Sequence, residues 1–169
     1  MSRENQVVLV NEQDEVTGTM EKLQAHHQGV LHRAVSVLVT NSRGEMLLQQ
    51  RAPRKYHCPG LWANAACTHP YLDEDPSLAA HRRLREEMGM EAELEFLFTF
   101  TYRAELDRGL VEHELDHVFG AITDASPQPD PAEVAACRWL SPEALGRELQ
   151  DDPGIFAPWF RMIMQRLER

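Results

Sequence analysis

The sequence predicts an α+β fold, a sheet core flanked by helices, in a single domain over residues 1–169. Three observations carry this. Val-rich or alternating segments recur at residues 6–10, 34–40, 94–102 and 110–123, in the manner of strands. Three stretches with helix start signals, at Pro76, Pro142 and Pro158, stand apart from one another among them. A length of 169 residues has room for one sizeable core. Strands and separated helices bury their apolar faces against each other, which makes an α/β sandwich.

In chain order, Gln6–Val10 reads as a short strand and residues 11–15 as a polar turn. Residues 34–40 read as a buried strand. Asn41-Ser42-Arg43-Gly44 is a turn signal and residues 45–51 a second strand, so the pair predicts a hairpin. Residues 51–60 form a loop carrying Arg51, Arg54, Lys55 and two prolines. Pro76–Met88 is the best-marked helix, with Asp75 as N-cap, Pro76 at its first position and Gly89 just past its end. Leu84 and Met88 lie four apart on one of its faces. Residues 94–102 and 110–123 alternate as strands. The proline-rich stretch 124–132 is a loop within the domain. Ser141 opens a further helix, and residues 156–169 form an amphipathic C-terminal helix that begins near Pro158.

Net charge is −10, which argues against a nucleic-acid binder with a general basic face. A few local Arg and Lys can still hold an anionic small molecule. No apolar run approaches the ~18 residues of a membrane span, and the apolar stretch near the N-terminus is too short for a secretory signal. Three cysteines, an odd number without framework spacing, fit the reducing cytoplasm. Monomer and homodimer stay open alternatives.

Glu112 and Glu114 in LVEHELDHVF fall on one face of a strand, and Asp116 continues that face. Adjacent carboxylates repel unless a cation or a shared proton offsets the repulsion. A solvated strand face is the plain alternative, but the flanking Leu110, Val111, Leu115, Val118 and Phe119 place this strand near a core. Cys67 and His69 in WANAACTHP are again two apart, beside Asn64. His26 and His32 are six apart, a spacing that belongs to no single helix or strand face. They reach one point only if the chain bends at Gln28-Gly29. His26, His32, His69, Glu112 and Glu114 together could cage a divalent ion such as Mn, Fe, Zn or Co. His27, His57, His81, His113 and His117 read as surface or structural.

A more specific pattern runs through Glu74. Seven residues separate it from Arg82-Arg83-Leu84-Arg85-Glu86-Glu87-Met88-Gly89-Met90. This is the spacing of the Nudix signature, a loop and helix whose Glu side chains bind Mg²⁺ on a diphosphate. Thr68 stands where Gly is usual and Arg83 where Glu is usual. An ordinary capped helix with Arg83 paired to Glu87 is the alternative.

The stretches TGTMEKLQAH, LHRAVSVLV, LLQQRAPRK, PGLWANAACTHP, RRLREEMGM, YRA, VEHELDHVF and APWF run from Thr17 to Phe160. With the segment before them, the chain from about residue 8 to 165 resembles type I isopentenyl diphosphate isomerase, a non-hydrolytic branch of the Nudix superfamily. The resemblance implies the Nudix fold, a mixed sheet flanked by helices. It implies an enzyme of isoprenoid biosynthesis that converts isopentenyl diphosphate to dimethylallyl diphosphate by protonation and deprotonation. It places a metal, Mn²⁺, Mg²⁺ or Zn²⁺, on His26, His32, His69, Glu112 and Glu114. It makes Cys67 and Glu114 the acid–base pair, assisted by Tyr102. A second ion, Mg²⁺ on the diphosphate, falls to Glu87 and the Cys67 backbone. The phosphates fall to Lys22, Arg51, Lys55 and Arg83, and the allyl carbons to Trp159. Such an enzyme takes a small diphosphate and has neither nucleic acid nor membrane as partner. The rival readings are a Nudix hydrolase of a nucleoside diphosphate derivative and a non-catalytic metal-binding module in which Cys67 is a ligand.

Overall fold

The Val-rich segment is the centre of the fold. In the computed structural model, which describes residues 2–169, it forms a strand over His32–Thr40. Successive strand side chains point to opposite faces. Val35, Val37 and Val39 accordingly enter one core and Leu38 the other. The strands are β1 (Gln6–Val10), β2 (Val16–Glu21), β3 (His32–Thr40), β4 (Met46–Arg51), β5 (Trp62–Ala63), β6 (Ala66–Thr68), β7 (Glu95–Glu105), β8 (Val111–Ile122) and β9 (Val134–Leu140). The α-helices are α1 (Lys22–Gln28), α2 (Pro76–Met88), α3 (Pro142–Asp151) and α4 (Pro158–Leu167). The α+β expectation holds, with one helix more than the start signals announce.

β3 runs parallel to β8 from His32↔Glu114 to Thr40↔Ile122. The other pairings are antiparallel, so the sheet is mixed. On its second edge β3 meets β1 at Leu9↔His32 and β6 along residues 35–37. β7 lines the far side of β8, and β2 that of β1.

The predicted hairpin of residues 34–40 and 45–51 forms only at its tip, Thr40↔Met46. The turn itself is as expected, with the Asn41 side-chain oxygen accepting the N–H groups of Arg43 and Glu45, each at 3.0 Å. Beyond it the strands part. The rest of that edge of β3 belongs to β6 and β1, so β4 completes its ladder with β9 and β5. Met46, Leu47 and Leu48 are all buried there. β2 and β9 lack a clear apolar alternation, and their strand character comes from these partners.

α2 begins and ends where its caps predict. The Asp75 carboxylate accepts the Ser77 N–H at 2.8 Å, and Gly89 closes the helix in the left-handed region at φ 60°. Ala79, Ala80, Leu84 and Met88 are fully buried against β3 and β6. Leu84 and Met88 each contribute roughly 1.5–3 kcal/mol by that burial. On the opposite side of the sheet α4 buries Trp159, Phe160 and Ile163 against Tyr102 and Val118. α1 spans seven residues, too few to show an apolar period. Its N-terminus is held by the Glu21 carboxylate, which accepts from Leu23 and Gln24.

Candidate active site

Register alone assembles the first part of the site. His32 on β3, Glu114 on β8 and Tyr102 on β7 lie in one row across three paired strands. The Tyr102 hydroxyl is 2.8 Å from Glu114 Oε2 and 3.0 Å from Glu112 Oε2. Both carboxylates are buried, as the flanking apolar residues predict.

The bend required at Gln28-Gly29 is present. Gly29 ends α1 in the left-handed region at φ 66° and turns the chain into β3. The His26 and His32 ring centroids come to 5.1 Å. His69, just past β6, lies 5.0 Å from His32 and 5.7 Å from His26 on the same measure. Each of the first two rings has Nδ1 on a carbonyl, His26 on Lys22 O at 2.7 Å and His32 on Val30 O at 2.8 Å. A carbonyl only accepts, so Nδ1 carries the proton and Nε2 presents a lone pair inward. Those two Nε2 atoms are buried with no hydrogen-bond partner. Glu114 Oε1 sits 3.1 Å from His69 Nε2, 3.4 Å from His32 Nε2 and 4.0 Å from His26 Nε2. One donor atom from each of His26, His32, His69 and Glu114 falls within 4.8 Å of the others. Two orphaned lone pairs aimed at a carboxylate oxygen suit a divalent cation, and the donor set fits one. Burial lowers the pKa of His26 and takes that of His69 down to about 3, which keeps both rings neutral. At His32 burial works in the same direction, but the Glu114 carboxylate outweighs it. Burial would raise Glu114 itself, yet the His32 and His69 rings set against it hold it well below the usual range.

Glu112 stands beside this group and outside it. Its Oε1 is 3.0 Å from His57 Nε2 and its Oε2 faces Tyr102. Burial, then the Glu114 charge, push its pKa up. His57 corrects the sequence reading, which leaves it surface or structural. Its ring lines the cavity with Glu112 and lies 5.8 Å from Trp159. No spacing in RAPRKYHCPG marks it. The loop is folded inward by main-chain bonds from Arg51 to Leu61 and from Gly60 back to Arg51. His27 is exposed, while His113 and His117 bond to Gly29 O and Asp14, as structural residues do.

Cys67 pairs with Ser36 across β6 and β3. Its sulfur lies 3.6 Å from Ser36 Oγ and 3.2 Å from Asn64 Nδ2. Asp116, the third acid of the β8 face, is the buried acceptor of the Ser36 hydroxyl at 2.7 Å. Burial pushes the Cys67 thiol up to about 12, so it is protonated at neutral pH. Asn64 also accepts the Trp159 indole N–H at 3.2 Å, which ties the thiol and the ring to one amide. Trp159 is buried, and the Arg51 guanidinium lies 5.0 Å from its ring centroid.

A cavity of about 580 Å³ contains Cys67, His69, Tyr102, Glu114 and Trp159 and extends to Lys22, Arg51, Lys55 and Arg83. Burial, then the charges of Lys55 and Arg83, lower the pKa of Lys22, so the cations are close enough to feel one another. Glu87 is buried on α2. Its Oε1 is 2.9 Å from Arg83 Nε and 3.3 Å from the Cys67 N–H, and its Oε2 accepts from Gln49 at 2.9 Å. Gln49 lies in the LLQQRAPRK stretch, and the course of β4 brings it here.

Fold and site define a NUDIX-domain protein, and the NUDIX domain matches residues 30–160. A crystal structure of a Deinococcus radiodurans protein shares the fold with a TM-score of 0.81 at 24% identity, covering 97% of this chain and 99% of that one. A MutT protein of Methanosarcina mazei does so with a TM-score of 0.67 at 20% identity, covering 82% and 94%. More specifically, the chain belongs to the isopentenyl-diphosphate Delta-isomerase family. The isopentenyl-diphosphate Delta-isomerase of Pectobacterium atrosepticum is 48% identical over 162 residues, 96% of this chain and 90% of that protein. That of Serratia proteamaculans is 43% identical over 161 residues, covering 95% and 90%.

Proposed function

We propose that this chain converts isopentenyl diphosphate to dimethylallyl diphosphate for isoprenoid synthesis in the cytoplasm. One observation carries the reading: Cys67 and Glu114, with Tyr102, share a single cavity with a buried indole and with cationic side chains that include Lys22, Arg51, Lys55 and Arg83. Three free cysteines accord with the reducing compartment.

One of Cys67 and Glu114 delivers a proton to the terminal methylene carbon. The π pair forms the new C–H bond and a tertiary cation remains. The other group takes a proton from the carbon on the diphosphate side, and that C–H pair becomes the new double bond. No atom is gained or lost, and the pair resets by proton exchange with water. Tyr102 holds its hydroxyl between Glu112 and Glu114 and steadies the proton at that face. The Trp159 ring stabilises the cation by ~2 kcal/mol or more where water is excluded. Lys22, Arg51, Lys55 and Arg83 hold the diphosphate. His26, His32, His69 and Glu114, with Glu112 alongside, would hold Mn²⁺, Mg²⁺ or Zn²⁺, and Glu87 would hold Mg²⁺; the bound ions would supply positive charge that tunes Glu114 and neutralises phosphate.

Incubation with isopentenyl diphosphate and Mg²⁺, followed by NMR, is expected to show dimethylallyl diphosphate accumulating. Release of phosphate from nucleoside diphosphate derivatives, with no isomer formed, would establish a hydrolase instead. Arg83 speaks against that outcome, because it puts a cation where the signature has a carboxylate.

A further inference from the structure

Glu133 lies in the turn before β9, outside every motif described above. One of its oxygens, Oε2, accepts both from Lys55 Nζ and from Arg83 Nη2, the latter at 2.9 Å. Its backbone is pinned on both sides. The carbonyl accepts the Ala52 N–H and the N–H donates to Asp130 O, each at 3.0 Å. The carboxylate therefore reaches the cavity from a fixed turn. Arg83 has a carboxylate on each of its three nitrogens, Glu87 on Nε at 2.9 Å, Glu86 on Nη1 at 3.0 Å and Glu133 on Nη2. A phosphate oxygen that bridges Lys55 Nζ and Arg83 Nη2 competes for the place between them that Glu133 Oε2 now fills.

We infer that Glu133 is a positioning residue that sets the affinity of the diphosphate site by standing in for a phosphate oxygen on Lys55 and Arg83. The inference rests on reading those two residues as diphosphate ligands. Substrate and product carry the same diphosphate, so binding energy there is uniform along the reaction path and does not raise kcat. Excess affinity slows product release. A fixed carboxylate on the same donors holds them convergent in the free enzyme and subtracts from the affinity of both substrate and product. The diphosphate prevails because it brings more charge and more oxygens.

The test is calorimetric titration with inorganic pyrophosphate and Mg²⁺, alongside isomerase kinetics, for wild type, Glu133→Gln, Glu133→Asp and Lys55→Met. Glu133→Gln is expected to tighten pyrophosphate binding roughly tenfold and lower KM in parallel, with no rise in kcat. The gain should shrink at high salt. Glu133→Asp keeps a charge in the turn one methylene further back and should fall between. A merely stabilising ion pair would lower Tm and leave the pyrophosphate Kd where it was. Weaker binding in Glu133→Gln, or a Kd within about twofold of wild type, overturns the inference. If Lys55→Met weakens binding at the same time, the diphosphate-site reading survives and this inference alone fails. Wild-type affinity in Lys55→Met overturns both.

Discussion

Asn64 shows how a residue acquires meaning from its neighbours. It bonds the Cys67 sulfur through Nδ2 and the Trp159 indole through Oδ1, so the thiol and the ring share a single pivot. Cys67→Ala is expected to melt near the wild-type temperature and to lose at least ~10²–10⁴-fold in kcat, the usual effect of removing an acid or base. Cys58→Ala and Cys137→Ala should keep turnover. Wild-type rates in Cys67→Ala would remove it from the chemistry. At Trp159 the two sides of the ring differ, since Arg51 covers one of them. If the ring faces the cation, Trp159→Phe retains part of the rate and Trp159→Leu loses about tenfold more. Equal kcat in both folded variants would leave packing as its only role. Replacing His69 by Ala should lower bound metal in elemental analysis, because it removes one of four convergent donors. Glu112→Gln should lower it less, as both oxygens of that carboxylate already have partners. Full occupancy in both variants would refute a shared ion.

At the scale of elements, the ends of helices carry the precision. Gly29 and Gly89 both close a helix with positive φ, and the second also meets its neighbour closely. A Cβ on Gly89 would lie 2.6 Å from the backbone oxygen of Gln128. Gly89→Ala should therefore cost about 1–3 kcal/mol in denaturant unfolding, from left-handed strain and from that clash. A neutral result would mean that the 124–132 loop yields freely. The loop before α2 is tied to the helix by Glu74, whose carboxylate is forked by Arg82 at 2.9 Å on each oxygen. Burial tends to raise its pKa, but the Arg82 bonds and the Tyr71 N–H outweigh it, and the net shift is downward. A depressed folded pKa gives stability that is present above the unfolded value of ~4.3 and is lost as pH falls through the folded one. Glu74→Gln should thus lower the unfolding free energy at pH 7 by roughly 1 kcal/mol after allowance for solvent screening, read as a lower Tm. Its melting curve should meet that of the wild type in acid. A gap that persists unchanged below pH ~3 would assign the loss to packing rather than charge.

For the whole molecule, the group of His26, His32, His69 and Glu114 draws distant parts of the chain together. Its donors come from α1, from β3, from the segment after β6 and from β8. An ion bound there stabilises the folded chain by RT ln(1 + [L]/Kd), ~4 kcal/mol at a thousandfold excess over Kd. Treatment with a chelator should lower Tm by several degrees, and added Mn²⁺ or Zn²⁺ should restore it. An unchanged Tm would mean that the buried imidazoles are held by packing alone. The Glu133 turn belongs to the same scale, since it brings the approach to β9 onto cations from two other elements.

Local rules set much of this protein. The buried Val-rich run of β3, the caps of α2 and the shared face of Glu112 and Glu114 depend on neighbours within a few residues, so they are legible in the chain itself. The signature around Glu74 and the bend demanded by His26 and His32 are local in the same sense. The family resemblance added roles to those positions. What lies beyond local rules is the pairing of strands and the folding of loops. The turn at residues 41–44 predicts a closed hairpin, but β4 pairs with β9 because the rest of that edge of β3 belongs to β6 and β1. His57 and Gln49 carry no spacing that marks them, and Glu133 is an ordinary loop acid until two cations from other elements meet it. Each is placed by contacts between segments far apart in sequence. Those contacts are decided by which edges and faces remain free after the strongest local elements have formed, and only the tertiary structure contains that outcome.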